Sequence, residues 1–182
     1  HFDFIYNTFS KEAILKGSFD KYIEENKNKE GTVEVDKELL KLVEEWLTEL
    51  AKNIALRNND IDIYNLNNAV QKIIDRIIFL RIAEDKEIEE YETLFSLTKS
   101  ADVYKRLDAI FEKANKKYNA GLFLPEKWLS EIKIDDKVLN SIIKGLYYPE
   151  SPYEFSILPI EILGNIYEQF LGKTIRFKNV KE

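Results

Sequence analysis

IDIYNLNNAVQKIIDRIIFLRIAED, residues 61–85, decides the fold. Its apolar positions are Ile63, Leu66, Ala69, Val70, Ile73, Ile74, Ile77, Ile78, Leu80 and Ile82. They recur at spacings of three and four, which predicts a helix of about six turns. Ile77, Ile78, Phe79 and Leu80 are consecutive, so the second half is apolar nearly all round and must be covered by neighbours on several sides.

Working outward, Asp62 is placed to cap this helix, and Asn58-Asn59-Asp60 breaks it from the one before. That earlier helix is expected from Asp36 to about Asn58, with Leu39, Leu40, Leu42, Val43, Trp46, Leu47, Leu50, Ala51 and Ile54 as its apolar stripe. Residues 84–92 carry six acids and one Lys and read as a solvated turn or helix end. A short helix over 91–98 follows. A longer one starts at Ser100 or Asp102, with Val103, Leu107, Ile110, Phe111 and Ala114 at helical spacing, and Asn119 and Gly121 offer a left-handed exit. Asp135 or Asp136 caps a helix carrying Val138, Leu139, Ile142, Ile143 and Leu146. Pro159 opens a last helix with Ile160, Leu163, Ile166, Tyr167 and Phe170 inside. An aromatic-rich lead-in and a helix beginning near Ser10 precede all of these. No stretch alternates with period two, so the expectation is an all-α, multi-helix bundle of about six to seven helices.

The totals exclude several kinds of function. The chain has 182 residues, no Cys, and a single His at position 1. Disulfides, thiolate metal sites and His-based catalysis are therefore outside its means. No apolar run is long enough to span a bilayer, and the chain opens on no secretory signal, so a cytoplasmic location is expected. The chain also lacks Met and begins at His1, which reads as a fragment of a longer protein. Net charge is −6, unevenly spread. Residues 20–49 hold ten acids and five lysines, whereas residues 99–117 hold six bases and three acids.

Few constellations suggest chemistry. Glu131-Ile132-Lys133 matches half of a metal-dependent nuclease motif, but such sites need a further acid held close by a strand, and none is predicted. Ser151-Pro152-Tyr153-Glu154-Phe155 resembles the loop with which adenine methyltransferases hold a flipped base. It lacks the second Pro and any glycine-rich cofactor loop upstream, and reads as a packed loop. No catalytic, cofactor-binding or metal-binding residue is assigned. Lys105, Arg106, Lys116 and Lys117, on and just beyond the basic helix, could meet phosphate, against the plainer reading of a solvated helix face. Arg76 and Arg81, inside the most apolar helix, are expected to pair with acids such as Asp75 or Glu84, or to reach outward.

Three stretches carry a resemblance: LNNAVQKIIDRIIFLRIAED at 66–85, NKKYNAGLF at 115–123 and ILGNIYEQFLGK at 162–173. With the opening FSKEA at 9–13 and GSFDKY at 17–22, their order resembles the helical region of type IIG restriction–modification enzymes. In those chains a nuclease is fused to an N6-adenine methyltransferase, and related helical regions occur in type I modification subunits and phage-defence methylases. The resemblance covers essentially the whole chain. It implies a non-catalytic helical connector over 1–182, with 1–31 as a lead-in packing on the bundle and 157–182 as the exit toward the methyltransferase. The partners implied are the flanking nuclease and methyltransferase, and DNA touched through its backbone by Lys105, Arg106, Lys116 and Lys117. S-adenosylmethionine and Mg2+ would serve those other domains. The competing reading is a helical protein–protein interaction module with no role on DNA, which the acidic total favours.

Overall fold

The structure is a computed structural model that describes residues 30–119, 121–151 and 155. The chain divides into two compact units, 1–42 and 43–182. In the first, only the beginning of one helix is described. The expected lead-in, the helix near Ser10, the helix after Pro159 and the 157–182 exit lie outside the described residues.

Among the described residues there are six α-helices and no strand, and the all-α expectation is borne out. They are α1 (Glu30–Arg57), α2 (Ile63–Asp85), α3 (Thr93–Ser96), α4 (Val103–Tyr118), α5 (Lys127–Ser130) and α6 (Asp136–Lys144), with 3-10 turns at Leu97–Lys99 and Gly121–Phe123. Helix α1 already runs from Glu30, so Asp36 lies within it and is not its cap.

The central stretch forms α2 as its periodicity requires. Asp62 caps it, its Oδ1 accepting from the Asn65 amide at 2.7 Å. Ala69, Val70, Ile73, Ile74, Ile77, Ile78, Leu80 and Ala83 are buried. Full burial of each large aliphatic side chain contributes about 1.5–3 kcal/mol, and α2 supplies six of them, Val70, Ile73, Ile74, Ile77, Ile78 and Leu80. Its C-terminus closes without glycine. Glu87 adopts a left-handed φ of 58°, and the Glu87 and Ile88 amides reach back to the Glu84 and Ala83 carbonyls at 3.0 and 2.8 Å, a Schellman closure.

Apolar faces are also buried on α1 (Val43, Trp46, Leu47, Leu50, Ile54), α4 (Val103, Leu107, Phe111, Ala114) and α6 (Leu139, Ile142, Ile143). Phe79, Phe111, Tyr118 and Phe123 form an aromatic group in which Phe79 meets Tyr118 and Phe123 edge-on, with ring centroids 5.1 and 5.3 Å away. Trp46 sits directly under Gly145. A Cβ there would lie 2.8 Å from the indole Cζ2, so the glycine is required by closeness and not by backbone angle.

The start of α4 departs from expectation. Asp102 occupies the cap position with φ 58° and supplies no side-chain cap. The Asp136 carboxylate of α6 does so instead, accepting from the Asp102 and Val103 amides at 3.0 and 2.8 Å. Asp136 is thus used across the fold. Asp135 holds the cap position of α6 but makes no side-chain cap there. At the other end of α4, Asn119 (φ 46°) makes the left-handed exit.

Candidate functional site

The four basic residues singled out on α4 are not equivalent. Arg106 turns back along the chain. Its Nε donates to the Ala101 carbonyl at 3.0 Å, and its Nη2 to the Ser100 carbonyl at 2.8 Å and to that of Leu97. The guanidinium therefore closes the end of the 3-10 turn Leu97–Lys99, adding a second donor to the Leu97 carbonyl, which already takes the Ser100 amide at 3.4 Å. The Lys117 ammonium donates to the Ile88 carbonyl and to Glu89 Oε1, each at 2.9 Å. Glu89 also takes the Tyr118 hydroxyl. Burial pushes the Glu89 carboxyl up, but the bonds from Lys117 and Tyr118 outweigh it, and its pKa is lowered. Burial and then the bond to Glu89 push Tyr118 up to about 12. Lys105 and Lys116 are both exposed. Eleven residues apart on one helix, they fall on nearly the same face, roughly 16 Å from one another, with Glu112 between them.

Lys105 also borders an open groove of about 660 Å³. One wall is the first turn of α4, with Asp102, Tyr104 and Lys105; the other is the 130–136 segment together with Arg57. That second wall is held rigidly from α1. Asn58 Nδ2 donates to the Lys133 carbonyl, and the Lys133 amide donates to Asn58 Oδ1, both at 2.9 Å. Asn53 does the same for Asp135, its Oδ1 accepting from the Asp135 amide at 2.9 Å and its Nδ2 donating to the carboxylate at 2.8 Å. Arg57 completes the clamp with Nε and Nη2 on Asp135 Oδ2 at 2.9 and 2.8 Å. The hydrogen bonds from Arg57 and then Asn53 lower the Asp135 pKa.

The arginines of α2 are both buried and neither reaches outward. Arg76 donates to the Leu122 and Leu124 carbonyls at 2.8 and 2.9 Å and lies 5.3 Å from the Phe111 ring centroid. It pins the 3-10 turn Gly121–Phe123 and the residue after it. Desolvation lowers its pKa. Arg81 pairs with acids as expected, touching Asp85 and lying 3.8 Å from Glu84. Its Nε donates to the Leu146 carbonyl at 3.1 Å, and its guanidinium carbon lies 4.3 Å from the Tyr147 ring centroid and 5.2 Å from that of Tyr91. Glu84 accepts from the Leu94 and Glu92 amides at 2.9 and 3.2 Å and from the Tyr147 hydroxyl at 2.5 Å. Burial raises its pKa above the ordinary carboxylate value, against those hydrogen bonds. Asp85 holds the Phe155 amide at 2.8 Å. The acidic run 84–92 is therefore not simply a solvated turn. Glu84 and Asp85, on the last turn of α2, hold the Leu94, Glu92 and Phe155 amides and the Tyr147 hydroxyl, and Glu89, beyond the Schellman turn, meets Lys117 and Tyr118 of α4.

The remaining motifs carry no chemistry that the structure assembles. Glu126 takes Lys72 and, at 3.0 Å, the Trp128 indole N–H, so it does not converge with Glu131, which is exposed. Among the described residues no three His, Cys, Asp or Glu side chains gather as a metal would need. Ser151 and Phe155, the described ends of the 151–155 motif, are buried, in keeping with a packed loop. Sequence reading missed the Lys105–Lys133 groove and the clamp behind it. Its parts lie 75–82 residues apart, and no local pattern signals such a pairing. Among the described residues no helix is long and apolar enough to cross a membrane.

No family model and no solved structure matches the chain. Over 175 residues, 96% of its length, it is 38% identical to the Type II restriction enzyme and methyltransferase RM.Eco57I of Escherichia coli. The resemblance to a fused restriction–modification enzyme is thus borne out. The chain spans 17% of that relative's length.

Proposed function

We propose that this chain is the helical connector of a fused nuclease–adenine methyltransferase, holding the two flanking domains in fixed geometry and touching the DNA backbone. The observation that carries this reading is the 38% identity, sustained over 96% of the chain, to one part of a restriction enzyme and methyltransferase. A covering match to so small a share of a long enzyme fits a region that serves other domains. The buried α2 strut, with the long-range bonds of its Arg76 and Arg81, suits a spacer, since both catalytic domains would be positioned through it. S-adenosylmethionine and Mg2+ would belong to the flanking domains.

The DNA contact rests first on Lys105 and Lys116, both exposed, with Arg106, tied to carbonyls, and the exposed Lys117, tied to Glu89 and the Ile88 carbonyl, shaping the surface around them. Contacts of this kind are sequence-independent and salt-sensitive. In the full-length protein, Lys105→Glu with Lys116→Glu should weaken binding about equally on any duplex and flatten the salt dependence by roughly two phosphate contacts, near 0.9 of a log–log slope each. Unchanged affinity at low salt would remove the DNA-contact part. The connector part is tested by the flanking coding sequence: it fails if no glycine-rich strand–loop and no Asn-Pro-Pro-Tyr-type motif follows. In that case the second reading gains ground, a helical protein-interaction module, to which the net charge of −6 is better suited.

A further inference from the structure

We propose that the groove between the first turn of α4 and the 130–136 segment is a seat for a phosphodiester backbone, gripped by Lys105 and Lys133 from its two walls. This rests on the reading that the chain meets DNA, and it names a place for that contact and a residue, Lys133, not in the basic set.

The groove is formally balanced, with Arg57, Lys105 and Lys133 against Asp102, Asp135 and Asp136. The balance does not describe what a ligand would meet. Asp135 is neutralised by Arg57 and by the Asn53 amide. Asp136 spends both oxygens on the two amides at the start of α4. Those amides would otherwise draw an anion, and Asp136 already fills that position, so a phosphate would be held by the lysines and not by the helix end. What remains outward-facing is Lys105 and Lys133, both exposed, against the carboxylates of Asp102 and of Asp136, the latter offset in part by the N-terminus of α4. Lys133 is also preset. Its amide and carbonyl are both held by one Asn58 side chain, which fixes the backbone from which the lysine extends. Less ordering is then needed on binding than for a lysine on a loose loop. The lining also includes Ile132, which is buried, Ile134 and Ser130. Lysines in a lining shared with apolar side chains and a hydroxyl suit the sugar–phosphate edge of a duplex better than its bases.

The test is binding of the full-length protein to a short duplex of arbitrary sequence, by fluorescence anisotropy across a salt series. Lys105→Ala and Lys133→Ala should each reduce the slope of log affinity against log salt by about one, and Lys144→Ala, exposed but outside the groove, should leave it unchanged. A photo-crosslinking residue in place of Ser130 should attach to the duplex. If Lys105→Ala and Lys116→Ala lower the slope while Lys133→Ala does not, and position 130 fails to crosslink, the groove is refuted and the DNA reading stands. If none of the lysines alters the slope, both fall. If position 130 crosslinks an acidic peptide in preference to the duplex, the groove serves a protein and the phosphodiester assignment is wrong.

Discussion

Replacing Arg81 by Ala should be among the most damaging single changes in the described part of the chain. The side chain is 5% exposed, and its partners Glu84 and Asp85 are 1% and 8% exposed. Its loss deletes the bond to the Leu146 carbonyl and the stacking on Tyr147, and leaves two buried acids without their cation. Removing one partner of a buried pair costs about 3–5 kcal/mol, most of it from the charge left behind. Taking about 4 kcal/mol, and roughly 2–4 °C per kcal/mol for a chain of this size, the melting temperature should fall by roughly 8–16 °C. Thermal unfolding followed by circular dichroism measures the fall, and urea unfolding followed by tryptophan fluorescence measures the free energy. The origin of the loss can be separated as well. Arg81→Met combined with Glu84→Gln and Asp85→Asn removes the stranded charges together with the cation, and should be markedly more stable than Arg81→Met alone. Arg81→Lys should lie between, keeping a charge but losing the planar stack and the Nε bond. The reasoning fails if Arg81→Ala unfolds within about 1 kcal/mol of the parent, against the several expected for such a pair. It also fails if that protein is stable and folded yet has lost DNA binding, which would make Arg81 a contact residue and not a brace.

Two further outcomes follow from the same geometry. Burial raises the Glu84 pKa above its ordinary 4.5, so the folded state holds that proton more tightly than the unfolded chain does. The resulting stability is complete below about pH 4.5 and is lost as pH rises through the folded value, so Glu84→Gln should make stability fall less steeply above pH 4.5, read as urea midpoints between pH 4 and 7. Asp135, lowered by Arg57, contributes in the opposite sense, its share being lost as pH falls through its folded value. Gly145→Ala should cost about 1–3 kcal/mol through overpacking, although its φ of −63° suits any residue; the new Cβ would lie 2.8 Å from the buried Trp46 ring, and a shift in the tryptophan emission maximum should accompany the loss.

The elements that could be read in the sequence are those whose information is local. Helix α2 follows from its own periodicity and the Asp62 cap, and the exit of α4 follows from Asn119. The pairing of Arg81 with Glu84 is a matter of one helical turn, and it too was accessible. Misread features depend on distant partners. Asp136 looks like the cap of its own helix but serves α4, 33 and 34 residues away. The acids of 84–92 look solvated because nothing nearby announces Tyr147, Lys117 or the Phe155 amide. The start of α1 was misplaced because Asp36 resembles a cap while the helix continues upstream through Gly31. Charge alone singles out the basic set on α4, and it cannot separate Lys105 and Lys116 from Arg106, held by carbonyls, and Lys117, exposed but held by Glu89.

The clamp from Asn53, Arg57 and Asn58 onto Lys133 and Asp135 closes a loop of 75–82 residues. Closure entropy grows only with the logarithm of loop length, so a loop already this long is insensitive to further growth. Ten residues added at the exposed Asn59-Asp60 turn would raise the closure cost by only about 0.1 kcal/mol. That turn is therefore a place where the chain can acquire new sequence over evolutionary time, or accept a reporter peptide in the laboratory, with little change in what holds the clamp shut.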